Sequence, residues 1–366
     1  MSRRILFIAP HRSGRNPSQR FRFEQYLPFL EANGWDITYS HLLDEKGDQI
    51  FYTNGNYLAK AGVALGGMLT RWKDVNRSSA YDIIFIHREA IMLGTTWFER
   101  KIANSSAHVI YDFDDAIWVK DVSEANQKLA FLKKPEKTNE ILGLSDLVFA
   151  GNEYLASHAR QYAKDVMVVP TTIDTNYHLP LAEKQDGPVC IGWTGSKTTV
   201  KHLEDLIPVL SRIRSKYGDK VCFRIIADKE REFPELGCSS IAWNASKEIE
   251  QLQAIDIGVM PLPDDQWAKG KCGFKALQYL SVGAAAVVSP VGVNTKVVKD
   301  GVHGFHASNE AEWESALSKL IEEPGTRKKM SITGREWIIS DWSVEAWKST
   351  YLRVFESLAL PKRLQL

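Results

Sequence analysis

The feature that most constrains this fold is the stretch from Pro261 to Gly292, PLPDDQWAKGKCGFKALQYLSVGAAAVVSPVG. Ahead of it, AIDIGVMPL (Ala254 to Leu262) is an apolar run that stops at a proline, and AAAVVSPVG at its end is another. Runs of this kind are buried parallel strands. Between them Phe274, Leu277, Tyr279 and Leu280 are apolar on a segment opened by Gly270 and Gly273 and closed by Gly283. The expected structure is strand, glycine-bearing loop, helix, strand. The loop Gly270-Lys271-Cys272-Gly273 is then expected to set free backbone N–H groups and the positive end of a helix dipole at the carboxyl edge of a sheet, with Lys271 and Lys275 adding full charges. That suits a phosphate or diphosphate. A tight turn carrying two solvated lysines fits the same letters.

The rest of the chain can be placed around this unit. Arg4 to Ala9 reads as a buried strand, and the loop after it, PHRSGRNPSQRFR, carries Arg12, Arg15, Arg20 and Arg22 at a ligand-facing position before an apolar helix that ends near Asn33-Gly34. Trp35 to Ser40 is a second strand. Asn54 to Val75, bordered by Arg71, Trp72 and Lys73, is a Gly- and Ala-rich amphipathic segment. It suits a helix packed on its own domain, and also one lying on a bilayer surface. Tyr81 to Ile86 is a strand ending in His87-Arg88-Glu89, and Val109 to Tyr111 is one ending in Asp112-Phe113-Asp114-Asp115, so both endings point into one crevice. Asp115 is expected to cap a helix beginning at Ala116. Leu144 to Gly151 and Val166 to Pro170 are the last strands of this half, with a helix from Glu153 to Tyr162 between them, and Thr171 to Gly187 is a linker.

The second half restarts with a strand from Pro188 to Trp193, the loop Gly192-Trp193-Thr194-Gly195-Ser196-Lys197, and a helix from about Val200. Phe223 to Ala227 and Ser240 to Trp243 are further strands, and Ser246, followed by Glu248 and Glu250, marks a helix start. Gly301 to Phe305, a helix from Glu310 to Glu322, and segments from Lys328 to Ile339 and Ser343 to Leu360 complete the chain.

At 366 residues the chain is long enough for two domains with separate cores. Its 46 basic and 45 acidic side chains leave no global charge to attract nucleic acid, so any anion site is local. Cysteines at 190, 222, 238 and 272 show no metal-ligand or paired spacing, which suits reduced thiols in the cytoplasm. The start, MSRRILFIAPHR, has an apolar run of only about six residues, short of a signal peptide's core of roughly 7–15, and reads as the first strand. No window approaches the roughly 20 apolar residues of a spanning helix, so membrane contact is expected to be peripheral, on the inner face.

The stretch GKCGFKALQYLSVG, followed by VVSPVGVNTKVVKDGVHGF, resembles the donor-site segment of glycosyltransferase family 4, retaining enzymes of the GT-B fold. The resemblance implies an α/β protein of two Rossmann-like doubly wound parallel-sheet domains facing a central cleft. Residues 1–170 would form the acceptor-side domain with 343–366 crossing back onto it, 171–187 the linker, and 188–342 the nucleotide-sugar domain. It implies a glycosyltransferase that moves a sugar from a nucleotide-diphosphate sugar to a glycan, lipid-linked or small-molecule acceptor, with retention, no metal and no cofactor beyond the donor.

The family has two glutamates eight positions apart, which fall here at Gly270 and Gln278, so the chain resembles a branch in which lysines and a Gln-Tyr pair occupy this helix. In the diphosphate loop Gly192 matches the family, Trp193 stands where it has an arginine, and Lys197 remains. The donor contacts implied are Gly192, Thr194, Gly195, Lys197, Gly270, Lys271, Cys272, Gly273, Phe274, Lys275 and Gln278, with Trp243 stacking on the base. At the reaction centre the resemblance implies Asp112 or Asp114 with His87, and Lys197 and Lys271 stabilising the departing diphosphate. The aspartates of DFDD could also hold a metal, as in single-domain sugar transferases. Nucleotide-sugar epimerisation on the same fold, and sugar-nucleotide binding without catalysis, are the alternatives.

Overall fold

A computed structural model describes residues 3–119, 134–182, 187–196 and 198–359. The chain divides into two compact units, Met1–Thr171 with Lys348–Leu366, and Thr172–Trp347.

The first unit is built on β1 (Arg3–His11), β2 (Trp35–Leu43), β3 (Ile83–His87), β4 (His108–Phe113), β5 (Leu147–Ala150) and β6 (Val166–Val168), all parallel in the order β2-β1-β3-β4-β5-β6. Ile5 to Ala9 and Ile83 to Ile86 are buried throughout, as strands covered on both faces must be. The direction of winding reverses between β1 and β3, which makes their carboxyl ends the place where a ligand crevice opens. The final helix, Val344–Leu358, lays Tyr351 and Phe355 among Tyr26, Phe7, Trp35, Phe85 and Phe149.

The second unit contains β7 (Val189–Thr194), β8 (Val221–Ala227), an antiparallel ribbon of β9 (Glu232–Phe233) and β10 (Cys238–Ser239), then β11 (Ile241–Ala242), β12 (Ile257–Met260), β13 (Ala285–Val288) and β14 (Gly304–His306). Its main sheet runs β11-β8-β7-β12-β13-β14, all parallel, with the winding reversed between β7 and β12. Gly258 is needed there: a Cβ on it would stand 2.1 Å from the ring of Tyr279 on the helix Phe274–Ser281. Tyr279 Oη accepts from Thr194 N at 3.0 Å and donates to Val259 O at 3.2 Å, tying the ends of β7 and β12 together.

Three local expectations change. The helix expected from Ala116 does not begin there: the described residues 116–119 form a turn, with Asp115 directing its carboxylate to Arg88. The helix expected at Ser246 begins at Glu248, after a 3-10 turn whose cap is Asn244 Oδ1, 2.9 Å from Ser246 N. A short helix, Gln266–Lys269, stands in what was expected to be open loop, because Asp265 Oδ1 caps it at Ala268 N, 2.7 Å away. Among the described residues no helix is long and apolar enough to cross a membrane.

Candidate active site

In the second unit the predicted diphosphate residues converge on the β7/β12 reversal. Gly192 lies against Ile255, and Gly195 is enclosed by the Trp193 ring and Thr199 Oγ1, which an added Cβ would approach to 2.4 and 2.7 Å. Ser196 N donates to Thr199 Oγ1 at 3.1 Å, which closes this loop into a tight turn. Lys197 lies outside the described residues. Trp193, where the resemblance leads one to expect an arginine, is fully buried in one cluster with Leu203, Leu206 and Leu210 and offers nothing to a phosphate. Lys275 Nζ lies 5.2 Å from its ring centre, so this lysine is brought beside the β7 loop by a cation–π contact.

Gly273 has φ 70°, the left-handed conformation that lets the chain turn into the helix at Phe274, and a Cβ there would press on Val297 at 3.0 Å. The expectation of free N–H groups along 270–273 is corrected in part. Gly270 N donates to Trp267 O at 3.1 Å and Lys271 N to Ala268 O at 3.0 Å, both spent on the short helix before them. Cys272 is buried with Sγ 3.9 Å from Gly270 O, and Lys271 Nζ lies 4.7 Å from the Trp267 ring. Lys271 and Lys275 thus flank the N-terminus of the helix.

Trp243, 39% exposed, follows the edge strand β11. Its Nε1 lies 3.4 Å from Glu248 Oε1, and Gln278 Nε2 lies 3.3 Å from the same oxygen. Glu248 and Gln278 are both buried. Two residues predicted separately are therefore joined through a carboxylate that the sequence offered only as a first-turn acid.

In the first unit His87 ends β3 and Asp112 lies beside it on β4, with Nδ1 and Oδ2 2.7 Å apart. Asp112 is fully enclosed: Arg22 Nε reaches its Oδ1 at 3.1 Å, and Arg22 Nη1 donates to Val169 O. Burial opposes ionisation of Asp112, but Arg22 and His87 outweigh it and hold its carboxyl below the usual range. Asp112 is thus enclosed between His87 and Arg22 and has no exposed surface, and Arg22, expected in a ligand-facing loop, is a core residue.

Ser18 Oγ, half-buried at the start of the helix Pro17–Arg22, lies 2.9 Å from His87 Nε2 and donates to Asp114 Oδ2 at 2.6 Å. Arg88 brackets the cluster, with Nε and Nη2 at 2.9 and 2.7 Å from Asp114 Oδ1 and Nη2 2.5 Å from Asp115 Oδ2. Burial works against the charged forms here too, yet the pairing drives Asp114 below the ordinary carboxylate range and Arg88 above that of arginine. Arg88 has φ 62°, a strained conformation for a side chain of this size, held by Tyr111 Oη donating to its carbonyl at 2.6 Å. Arg12 and Arg15 are drawn to Asp48, Arg15 Nε at 2.6 Å, and Arg20 lies over Phe21.

The DFDD carboxylates are thus ion-paired, and among the described residues no group of His, Cys, Asp and Glu is arranged to hold a metal ion. Sequence reasoning missed Ser18, Arg88 and Glu248; the one available signal was the placement of Ser18 and Arg88 just after the first and third strands.

Residues 188–323 match the family model of glycosyl transferases group 1. No curated protein matches the chain by sequence. Among solved structures, sucrose-phosphate synthase from Thermosynechococcus elongatus is similar with a TM-score of 0.70 at 13% identity, over 97% of this chain and 99% of that one. A glycosyltransferase from Rickettsia africae gives 0.69 at 13%, over 98% and 99%. Anabaena HepE in complex with UDP-glucose gives 0.65 at 14%, over 97% and 99%. The fold is GT-B.

Proposed function

We propose, from the premise that the chain is a glycosyltransferase with a group 1 domain over residues 188–323, that it moves a sugar from a nucleotide-diphosphate sugar to an acceptor with retention and without a metal. The observation that carries this reading is the β7/β12 reversal. There the dipole of the helix Phe274–Ser281, Lys271 and Lys275 offer positive charge beside the Thr194–Ser196 loop. Trp243 offers a ring face to the base, with Glu248 and Gln278 behind it for a nucleoside's hydroxyl or N–H groups.

In the reaction the bond from the anomeric carbon to the diphosphate oxygen breaks and its electron pair leaves with the diphosphate, while an acceptor hydroxyl closes on an oxocarbenium-like carbon and loses its proton by way of Ser18 Oγ to His87 Nε2. Fixed positive charge in the second unit stabilises the departing group. In the first unit, Ser18, held by His87 behind it and by Asp114, supplies the polar group for the acceptor. A cytoplasmic location suits the four free cysteines.

The test is thermal-shift screening against a nucleotide-sugar panel that begins with UDP-glucose, since a ligand at about 100 times its dissociation constant stabilises a fold by roughly 2.7 kcal/mol. Release of free nucleoside diphosphate only when acceptor is present supports transfer over epimerisation. Absence of any nucleotide-sugar shift overturns the reading.

A further inference from the structure

The first unit exposes an apolar stripe that its own core does not use. On the helix Tyr57–Arg77, Leu58, Leu65, Leu69 and Trp72 are 90%, 62%, 66% and 52% exposed, at a spacing that puts them on one face. Ala61, Gly62 and Gly66 lie exposed between them. Trp72 stacks on Trp97 of the helix Trp97–Ala103, ring centres 5.2 Å apart and planes 7° from parallel, and Lys101 Nζ lies 5.6 Å from the Trp97 ring.

The charges on these two helices are sorted by sign. Lys73, Arg77, Arg100 and Lys101 are exposed. The acids Asp74 and Glu99 are buried, Asp74 between Arg71 and Arg77, and Glu99 accepting from Ala90 N at 2.9 Å. Arg100 is paired with the carboxylate of Glu140, which leaves Lys73, Arg77 and Lys101 as the outward charge; with leucines along the middle and a tryptophan pair at one end, these match the boundary of an anionic bilayer, where apolar chains, headgroups and negative charge meet.

The other side of the same helix lines an apolar crevice, formed by Val63, Ala64 and Gly67 with Leu43, Phe51 and Leu93. Leu43 ends β2, and the segment from Ile91 to Leu93 leaves the same sheet edge just after Arg88. The crevice therefore adjoins the His87–Ser18–Arg88 cluster along the chain and along the sheet edge.

We propose that the first unit docks on an anionic bilayer through this stripe, and that its acceptor is a lipid of that bilayer whose apolar chain enters the crevice and whose polar head meets Ser18, in front of His87. The acceptor assignment rests on the glycosyltransfer reading; the docking does not.

The test is co-sedimentation of the full chain with phosphatidylcholine vesicles made with and without phosphatidylglycerol. The wild type is expected to sediment with the anionic vesicles. Leu65→Glu with Leu69→Glu, and separately Lys73→Glu with Lys101→Glu, are expected to lower the bound fraction by roughly tenfold, because apolar burial and headgroup attraction act together. All these positions are solvent-exposed, so folding is checked by melting alone. Ala64→Phe narrows the crevice and is expected to weaken binding of monomeric dodecyl phosphate by about tenfold, since it removes room for the chain.

Wild-type protein left in the supernatant, or variants that sediment as well as it does, overturn the docking. So does a concentration-dependent dimer in light scattering that the leucine variant abolishes, which makes the stripe a self-contact. Unchanged dodecyl phosphate binding overturns the crevice assignment. Vesicle binding without any nucleotide-sugar shift removes the acceptor role and leaves the docking in place.

Discussion

His87 and Asp112 are register partners on neighbouring parallel strands, and their side chains meet at 2.7 Å in a fully buried contact. The carboxylate fixes Nδ1 and turns Nε2 toward Ser18, so a charge deep in the sheet orients a group at its edge. Arg22 holds the other side of that carboxylate. Asp112→Ala is expected to destabilise the first unit by about 3–5 kcal/mol, because it strands a buried guanidinium. A urea midpoint that does not move contradicts this.

His87→Gln keeps a polar group over Asp112 and is expected to spare the fold. It should lower turnover by about 10²–10⁴-fold, the usual contribution of a placed proton-transfer group, while donor affinity stays the same. Wild-type turnover would remove His87 from the reaction.

Lys271→Ala and Lys275→Met each remove a full charge at the start of the helix Phe274–Ser281. Each is expected to weaken nucleoside diphosphate binding by about 1.5–3 kcal/mol, roughly ten- to a hundredfold in dissociation constant by calorimetry. Unchanged affinity in both moves the diphosphate elsewhere.

Trp243→Ala, Glu248→Gln and Gln278→Leu disturb one connected group. Each is expected to weaken UDP or its equivalent by about 1–3 kcal/mol while leaving inorganic pyrophosphate binding as it was. An equal loss for pyrophosphate means that the whole unit has been disturbed and not the nucleoside end.

Chelation is expected to leave turnover nearly intact, since Arg22 and Arg88 already neutralise the DFDD carboxylates and fixed charge meets the diphosphate. Activity abolished by a chelator and restored by manganese returns those aspartates to a metal.

Burial lowers the His11 pKa to about 4, with Asp48 only partly opposing it. The unfolded chain takes up this proton below about 6.5, so the contribution of His11 to stability is complete above that pH and drains away as pH falls toward 4, by on the order of 3 kcal/mol at most. Asp112 and Asp114 are shifted down, so their contributions are lost only below the ordinary aspartate value. His11→Asn is expected to flatten the melting profile between pH 6.5 and 4 relative to wild type. Parallel profiles would show that His11 is not the group responsible.

The strands and the helix Phe274–Ser281 were legible because apolar runs closed by glycine or proline leave few other structures open to them. Pairings across the sheet were not. An arginine-rich first loop reads the same whether Arg22 meets a ligand or meets Asp112, 90 positions away in the chain. Glu248 reads as a first-turn acid until β11 brings Trp243 to it. Arg88 in a left-handed conformation leaves no trace in the sequence, since that conformation is signalled by glycine and rarely by arginine. The short helix capped by Asp265 hides in a run whose glycines speak for open loop.

The rings of Tyr351 and Phe355 carry a consequence for how the chain is made. Phe355 has no exposed surface, and Tyr351 Oη donates to the carbonyl of Arg22 at 2.5 Å, so the first unit is finished by residues translated after all of the second. The second unit is thus an insertion, complete once Trp347 has left the ribosome, while the older half of the nascent chain waits with Phe7, Phe85 and Phe149 uncovered. A premature stop near codon 347 therefore spares the unit that carries the group 1 domain and cripples the one that was synthesised first.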